Sequence, residues 1–107
     1  MIFDLRIYTL HNNKFGAWLK LYGEHGHAVQ VKHCGEPVLY ATTEVGTMNQ
    51  VVHVWKYESQ ADRERRRDAL MADPDFQAYL AKSRELGAHQ HQECRVLKAT
   101  QLSALIK

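Results

Sequence analysis

The segment from residue 49 to residue 67 changes midway from a strand pattern to a helix pattern, and this change limits the possible folds more than any other feature. Apolar side chains alternate along residues 50–57, which predicts a strand with two different faces. Ser59 follows, and Asp62 stands three residues later, which indicates a capping box at the start of a helix. A strand that leads directly into a capped, arginine-rich helix is typical of a mixed α+β fold.

The remaining elements follow from the same two periodicities. Residues 2–10 alternate as a half-buried strand, whereas apolar residues recur at helical spacing in residues 14–33. Gly23 and Gly26 weaken that helix, so we expect it to bend near them. The predicted elements are strands at 2–10, 38–43, 50–57 and 93–99, a helix at 14–33, and a helical region at 59–87 that is divided at Asp73–Pro74.

The order strand, helix, strand, strand, helix, strand predicts one architecture. Two right-handed strand–helix–strand crossovers joined by a hairpin give a ferredoxin-like βαββαβ fold, with antiparallel strands ordered 4-1-3-2 and helices on one face. We assign the face with Phe3, Leu5, Ile7, Val52 and Val54 to the helices. The opposite face, left uncovered, then carries Arg6, Tyr8, Asn49, Val51, His53, Trp55 and Tyr57.

An uncovered sheet face with large aromatic side chains indicates an interface or a binding cleft. Two copies packed sheet to sheet would bury this face, so we expect a homodimer through the sheet faces. A pocket on the same face would suit a small hydrophobic or aromatic ligand.

Size and charge exclude several classes of protein. The 107 residues fit a single domain, residues 1–107. A net charge of +2 is too balanced for nucleic-acid binding, and no apolar run reaches the length of a membrane span. The two cysteines, Cys34 and Cys94, do not make a disulfide framework, which favours a reducing, cytoplasmic location.

His53 and Arg6 are the candidate catalytic residues. A buried imidazole at position 53 can move a proton near neutral pH; the alternative is a core histidine that is hydrogen-bonded to Tyr or Asn. The guanidinium of Arg6 can hold a developing oxyanion; the alternative is an ion pair with Asp4, with Glu93 or with a carboxylate of a partner chain.

Three further residues are candidate ligand-binding residues: Tyr8, Asn49 and Trp55. Their alternative role is to seal an interface, where aromatic residues are common. The pairs His25/His27 and His89/His91 lack the third and fourth convergent ligands of a metal site, so we predict no metal.

Three segments resemble the NIPSNAP family: IFDLRIYTL at residues 2–10, TEVGTMNQVVHVWKY at residues 43–57, and RERRR at residues 63–67 followed by Asp73-Pro-Asp-Phe. The resemblance implies the dimeric α/β barrel superfamily, in which two ferredoxin-like halves pack sheet to sheet. Haem-degrading members of that superfamily use an Asn on the first strand and a His on the second helix. Here Arg6 and Tyr8 stand on the first strand and residues 62–86 contain no His, so we expect no haem and no other cofactor.

Two functions remain open from the sequence. One is a cofactor-free enzyme or small-molecule binder whose pocket is lined by Arg6, Tyr8, Asn49, His53 and Trp55. The other is a non-catalytic interaction protein, in which the same residues seal a dimer.

Overall fold

A four-stranded antiparallel sheet, with strands in the order β2-β3-β1-β4, is the framework of the computed structural model, which describes residues 1–106. The predicted α+β class, strand order and element sequence are confirmed. The strands are β1 (Ile2–Leu10), β2 (Leu39–Thr42), β3 (Gln50–Tyr57) and β4 (His89–Lys98). The helices are α1 (Phe15–Leu21), α2 (His27–Cys34), α3 (Gln60–Ala72) and α4 (Pro74–Leu86), with short 3₁₀ segments at Asn12–Lys14 and Ala104–Ile106.

The ends of the two later helices follow the predicted capping residues. Ser59 Oγ accepts a hydrogen bond from the Asp62 amide, and an Asp62 carboxylate oxygen accepts one from the Glu58 amide. Asp73 caps α4 by accepting a hydrogen bond from the Asp75 amide. Each cap satisfies amide groups that the first turn of a helix leaves unpaired. The break at Asp73–Pro74 therefore divides the helical region in two, as predicted.

The predicted bend in the first helical region is a π-helical turn, Tyr22–Gly26, which joins α1 to α2. Gly26 is required here because a Cβ atom would lie 2.8 Å from Cδ1 of Tyr22 and 3.1 Å from Cε1 of Tyr79. The π turn therefore brings two tyrosine rings over the backbone of the helix. Single π turns of this kind are often found at functional sites.

The prediction for the two sheet faces is wrong. In the β1–β3 pairing, Asp4 faces Trp55 and Arg6 faces His53. This face lies under the helices, because Trp55 and His53 are almost fully buried and Trp55 belongs to the same apolar core as helix residues Trp18, Tyr22 and Tyr79. The aliphatic side chains that we assigned to the helices lie instead on the open face: Leu5, Ile7, Val52 and Val54.

Two contacts explain why the sheet packs this way round. The Asp4 carboxylate is fully buried and pairs with Arg63 of α3, with 2.9 Å between Nε and Oδ2. A buried carboxylate needs cationic partners, and Arg63 of the helix layer adds one to the Arg6 of β1. Tyr22 of the π turn also stacks on Tyr40 of β2, and Trp18 of α1 meets Tyr8 of β1 edge to face. The half-exposed aliphatic side chains of the other face carry no polar group that must be paired.

The last strand begins at His89, whereas the sequence predicted a start near Glu93. Its pairing with β1 shifts register between Thr9 and Leu10, so a bulge accommodates its first residues. The earlier start brings His89 next to Tyr8 and Trp18. None of the helices in the described part of the chain has the length and apolar character that crossing a bilayer requires.

Candidate functional site

A cavity of about 210 Å³ lies between the helices and the face of the sheet that they cover. Its polar wall includes Arg6, Tyr8, His53 and Arg67, and its apolar wall includes Phe76 and Leu80. A larger groove of about 430 Å³, lined by side chains such as Glu24 and Lys32, runs along the outside of α2 and α4. The inner cavity is the better candidate because its polar groups converge within an apolar enclosure.

His53 stands at the base of the cavity with only 2% of its surface exposed. Its Nδ1 accepts a hydrogen bond of 2.6 Å from the indole Nε1 of Trp55. Because an indole N–H can only donate, Nδ1 carries no proton and the neutral ring carries its proton on Nε2. Burial, reinforced by the charges of Arg6 and Arg67, lowers the pKa of His53 to about 3. At neutral pH this residue is therefore an uncharged hydrogen-bond donor.

The Nε2 atom of His53 is buried and has no hydrogen-bond partner among the described residues. It points away from Trp55, because the two nitrogens of an imidazole ring face in nearly opposite directions. A buried N–H without an acceptor destabilises a protein unless a ligand or water satisfies it. This donor is the strongest local indication that the cavity holds a molecule.

Arg6 is held by an ion pair rather than left free. Its Nε and Nη2 donate to the two carboxylate oxygens of Asp4, at 3.1 and 3.3 Å. Burial alone would raise the pKa of Asp4, but Arg6, through its charge and hydrogen bonds, and the hydrogen bonds from Arg63 and Cys94 outweigh it, so the pKa lies below its ordinary value. The ion pair with Asp4 was one of the two alternatives for Arg6, and it fixes the guanidinium beside the cavity.

Stacked aromatic rings form one side of the cavity and its support. Trp18 stacks on Tyr22 with 5.5 Å between ring centroids, and Tyr22 stacks on Tyr40 at 5.2 Å. The Tyr22 hydroxyl donates to Oε1 of Gln30 at 2.8 Å. Burial raises the pKa of Tyr79, also in the wall, to about 12, so this hydroxyl is neutral near pH 7. The wall therefore presents neutral, flat surfaces.

The five residues selected from the sequence occupy three different places. Arg6, Tyr8 and His53 meet at the cavity, where the Tyr8 ring lies 4.9 Å from the His53 ring. Trp55 lies behind His53, outside the cavity wall, and orients the imidazole. Asn49 lies at the end of the β2–β3 connection with a φ of 60°, and its side chain donates to Asn12. Asn49 is therefore not brought together with the other four.

Sequence reasoning missed Arg67 and Trp18 as site residues. Both line the cavity, and both have a buried N–H without a hydrogen-bond partner in residues 1–106, at Nη1 and Nε1 respectively. Arginines that alternate with acidic residues are typical of a solvated helix face with local ion pairs, and this holds for Arg65 and Arg66 because both pair with Asp62. The missed signal was the four-residue spacing of Arg63 and Arg67, which puts both on one side of α3.

No cluster of three or more metal-ligating side chains occurs in residues 1–106. Of the two histidine pairs seen in the sequence, His25 lies near Glu24 and His91 lies near Glu93, both at exposed positions. What the cavity offers chemically is a set of N–H donors and one guanidinium that has no carboxylate partner in the described chain.

Comparison with known proteins gives one consistent family. The NIPSNAP family model matches residues 3–104. A crystal structure of a NIPSNAP family protein from Agrobacterium tumefaciens is 35% identical with a TM-score of 0.90, covering 97% of each chain. An uncharacterized NIPSNAP domain protein from Burkholderia xenovorans is 28% identical with a TM-score of 0.86, covering 96% of this chain and 98% of the other.

Two further similarities support less: one covers only part of the relative, and the other shows only the fold. The "Protein NipSnap homolog" of Dictyostelium discoideum is 34% identical over 82 residues, which is 77% of this chain, and the match covers only 36% of that longer protein. An antibiotic biosynthesis monooxygenase is 13% identical with a TM-score of 0.64, covering 94% of this chain and 99% of the other. At that identity the likeness shows a shared ferredoxin-like fold and nothing about the reaction.

Proposed function

The chain belongs to the NIPSNAP family, as its sequence resemblance indicated, and on this premise we propose that it binds a small organic molecule in the cavity between helices and sheet. The observation that carries the proposal is the buried, unpartnered Nε2–H of His53 at the base of that cavity. A protein that binds a small molecule needs an open cavity, whereas in a purely structural protein side chains would fill the same space. The cavity lined by Arg6 and His53 supports the first of these functions.

The geometry supports His53 as a hydrogen-bond donor rather than as a group that moves protons. Its Nδ1 is occupied by Trp55, and its pKa of about 3 keeps the ring neutral at physiological pH. A neutral imidazole that donates from Nε2 can orient or polarise a ligand oxygen. Any catalytic role of Arg6 and His53 would therefore be electrostatic, with Tyr8 and the aromatic wall holding a flat or apolar ligand body.

A screen of small aromatic and aliphatic compounds by ligand-observed NMR tests this proposal. We expect compounds that bind the native chain and lose binding in Leu80→Trp, which fills the cavity. Leu102→Trp is the matched control, because Leu102 is exposed in the C-terminal segment and lies outside the cavity. If every compound that binds does so equally well to Leu80→Trp and to Leu102→Trp, or if no compound distinguishes these two variants, the binding proposal is wrong.

We also propose that the chain assembles as a homodimer through its open sheet face. Leu39 and Leu97 are 48% and 45% exposed, and the neighbouring strands add Leu5, Ile7, Val52 and Val54. The central part of this face is aliphatic, with Glu93 and Arg95 of the edge strand beside it, and such a patch is stabilised when a second sheet covers it. The dimer predicted from the sequence thus remains a proposal, with aliphatic rather than aromatic and polar residues in the interface.

The cysteines support a cytoplasmic location as a further part of this proposal. Cys34 is buried and Cys94 lies on the edge strand, and neither forms a disulfide. Unpaired thiols are usual in proteins of reducing compartments.

A further inference from the structure

Arg67 differs from the other three arginines of its helix. Arg63 pairs with Asp4, and Arg65 and Arg66 pair with Asp62. Within residues 1–106, Arg67 has no carboxylate at ion-pair distance, and its Nη1 is buried without a hydrogen-bond partner. A partly buried cation without a counter-ion is costly, and here it borders the cavity.

The other unpartnered groups of the cavity wall are donors as well. His53 Nε2 and Trp18 Nε1 each carry a buried N–H without an acceptor in the described chain. The amide oxygen of Gln30, an acceptor in the same wall, is already occupied by the Tyr22 hydroxyl. Three buried N–H groups of the cavity wall, at Arg67, His53 and Trp18, therefore have no acceptor in the described chain, and the group that complements them is an oxygen with accessible lone pairs.

The charge of that group follows from the local balance. Asp4 carries one negative charge against the two positive charges of Arg6 and Arg63, and the guanidinium of Arg67 at the cavity has no carboxylate partner in the described chain, so this group of side chains is net positive. His53 contributes no charge because its ring is neutral. An anion matches this arrangement, and the unpaired guanidinium of Arg67 can bind a carboxylate with two parallel hydrogen bonds.

The apolar part of the cavity wall determines which ligand skeleton fits beside the carboxylate. Phe76, Leu80 and Met71 are apolar, and the rings of Trp18 and Tyr22 are flat. A cavity of about 150 Å³ is enough to hold benzene, so the volume of about 210 Å³ accommodates one ring with a carboxylate attached. Building on the proposed function, we infer that the cavity selects a monocarboxylate with a single-ring or short branched apolar body, whose carboxylate lies against Arg67, His53 and Trp18.

Benzoate and benzamide are the matched probes, because they share size and shape and differ in charge. We expect calorimetry at pH 7 to show that the native chain binds benzoate at least about tenfold more tightly than benzamide, the ratio that one charge-assisted hydrogen bond supplies. Arg67→Gln should remove this preference. Arg65→Gln should keep it within about twofold, because Arg65 is mostly exposed on the same helix and pairs with Asp62.

The results separate the two levels of the proposal. Equal binding of benzoate and benzamide, lost in Leu80→Trp, would overturn the carboxylate and leave the binding function standing. Absence of any cavity binding by either probe, or by other compounds of this size, would overturn both. If Arg67→Gln does not fold, the native chain answers the question by NMR: titrated benzoate should shift the ¹⁵N signals of His53 Nε2 and the Arg67 guanidinium, and unchanged signals would overturn the inference.

Discussion

The indole N–H of Trp55 donates a 2.6 Å hydrogen bond to Nδ1 of His53, two residues earlier on the same face of β3. The contact joins the two residues that the sequence had selected for one pocket, but it gives them different roles. Trp55 fixes the tautomer and orientation of the ring, and His53 presents the opposite nitrogen to the cavity. The local alternation of β3 thus produces a buried donor of defined direction.

The lowered pKa of His53 makes stability depend on pH. An unfolded histidine titrates near 6.5, whereas folded His53 titrates near 3 because of burial and the nearby Arg6 and Arg67. Between these values the unfolded chain binds a proton that the folded chain does not. The contribution of His53 to the free energy of unfolding is therefore complete above pH 6.5 and falls by about 1.4 kcal/mol per unit as the pH decreases toward 3.

Urea unfolding at pH 8 and pH 5 checks this contribution. We expect the native chain to lose about 2 kcal/mol more than His53→Gln over this interval. His89, whose pKa is also lowered by partial burial, remains in both proteins, so the difference isolates position 53. An equal loss in both proteins would show that His53 is solvated and titrates normally.

The buried Asp4 should be among the most sensitive positions for stability. Asp4→Asn leaves Arg6 and Arg63 with only one uncharged acceptor between them, so we expect the free energy of unfolding to fall by about 3 kcal/mol. Asp68→Asn is the control, because Asp68 is exposed on α3 and should change stability by less than about 0.5 kcal/mol. A loss below about 1 kcal/mol for Asp4→Asn would contradict a buried ionic centre.

The elements that the sequence predicted well are those with local physical causes. The caps at Ser59 and Asp73 and the bend at Gly23–Gly26 depend on neighbouring residues, and each was identified from them. The start of β4 was missed because the polar residues 89–92 have little strand character of their own. Their pairing with β1 comes from residues about 80 positions earlier in the chain, which a periodicity does not show.

Local sequence patterns did not show which face of the sheet packs against the helices. Both faces of β1 and β3 are apolar enough to be buried, so alternation establishes two faces without showing which one meets the helices. The deciding contact joins Asp4 to Arg63, which stand 59 residues apart. The same non-local packing placed Arg67 at the cavity. An acid on β1 and two arginines spaced by one helical turn are visible in the sequence, but only the fold brings them together.

The two glycines of the π turn should respond to alanine in opposite directions. Gly26→Ala would place a methyl group 2.8 Å from the Tyr22 ring and 3.1 Å from Tyr79, so we expect a loss of about 1–3 kcal/mol. Gly23→Ala meets no atom within 4 Å and should stabilise the chain by up to about 1 kcal/mol through the unfolded state. Thermal unfolding of both variants measures the two changes in stability. Destabilisation of equal size at both positions would refute the close contact between Gly26 and the tyrosine rings.

A charge placed at the centre of the open face tests the dimer. Val52 lies there, opposite Ile7 in the β1–β3 pairing, and is half-buried already within one copy of the chain. Val52→Glu would bury a carboxylate between two aliphatic sheets, so we expect a dimeric native chain and a folded monomeric variant in analytical ultracentrifugation at micromolar concentration. Val45→Glu introduces the same charge in the β2–β3 connection, where Val45 is 91% exposed, and should leave the dimer intact. Because the cavity lies on the other side of the sheet, Val52→Glu should retain cavity ligands; a native chain that sediments as a monomer would remove the dimer proposal without affecting the binding site.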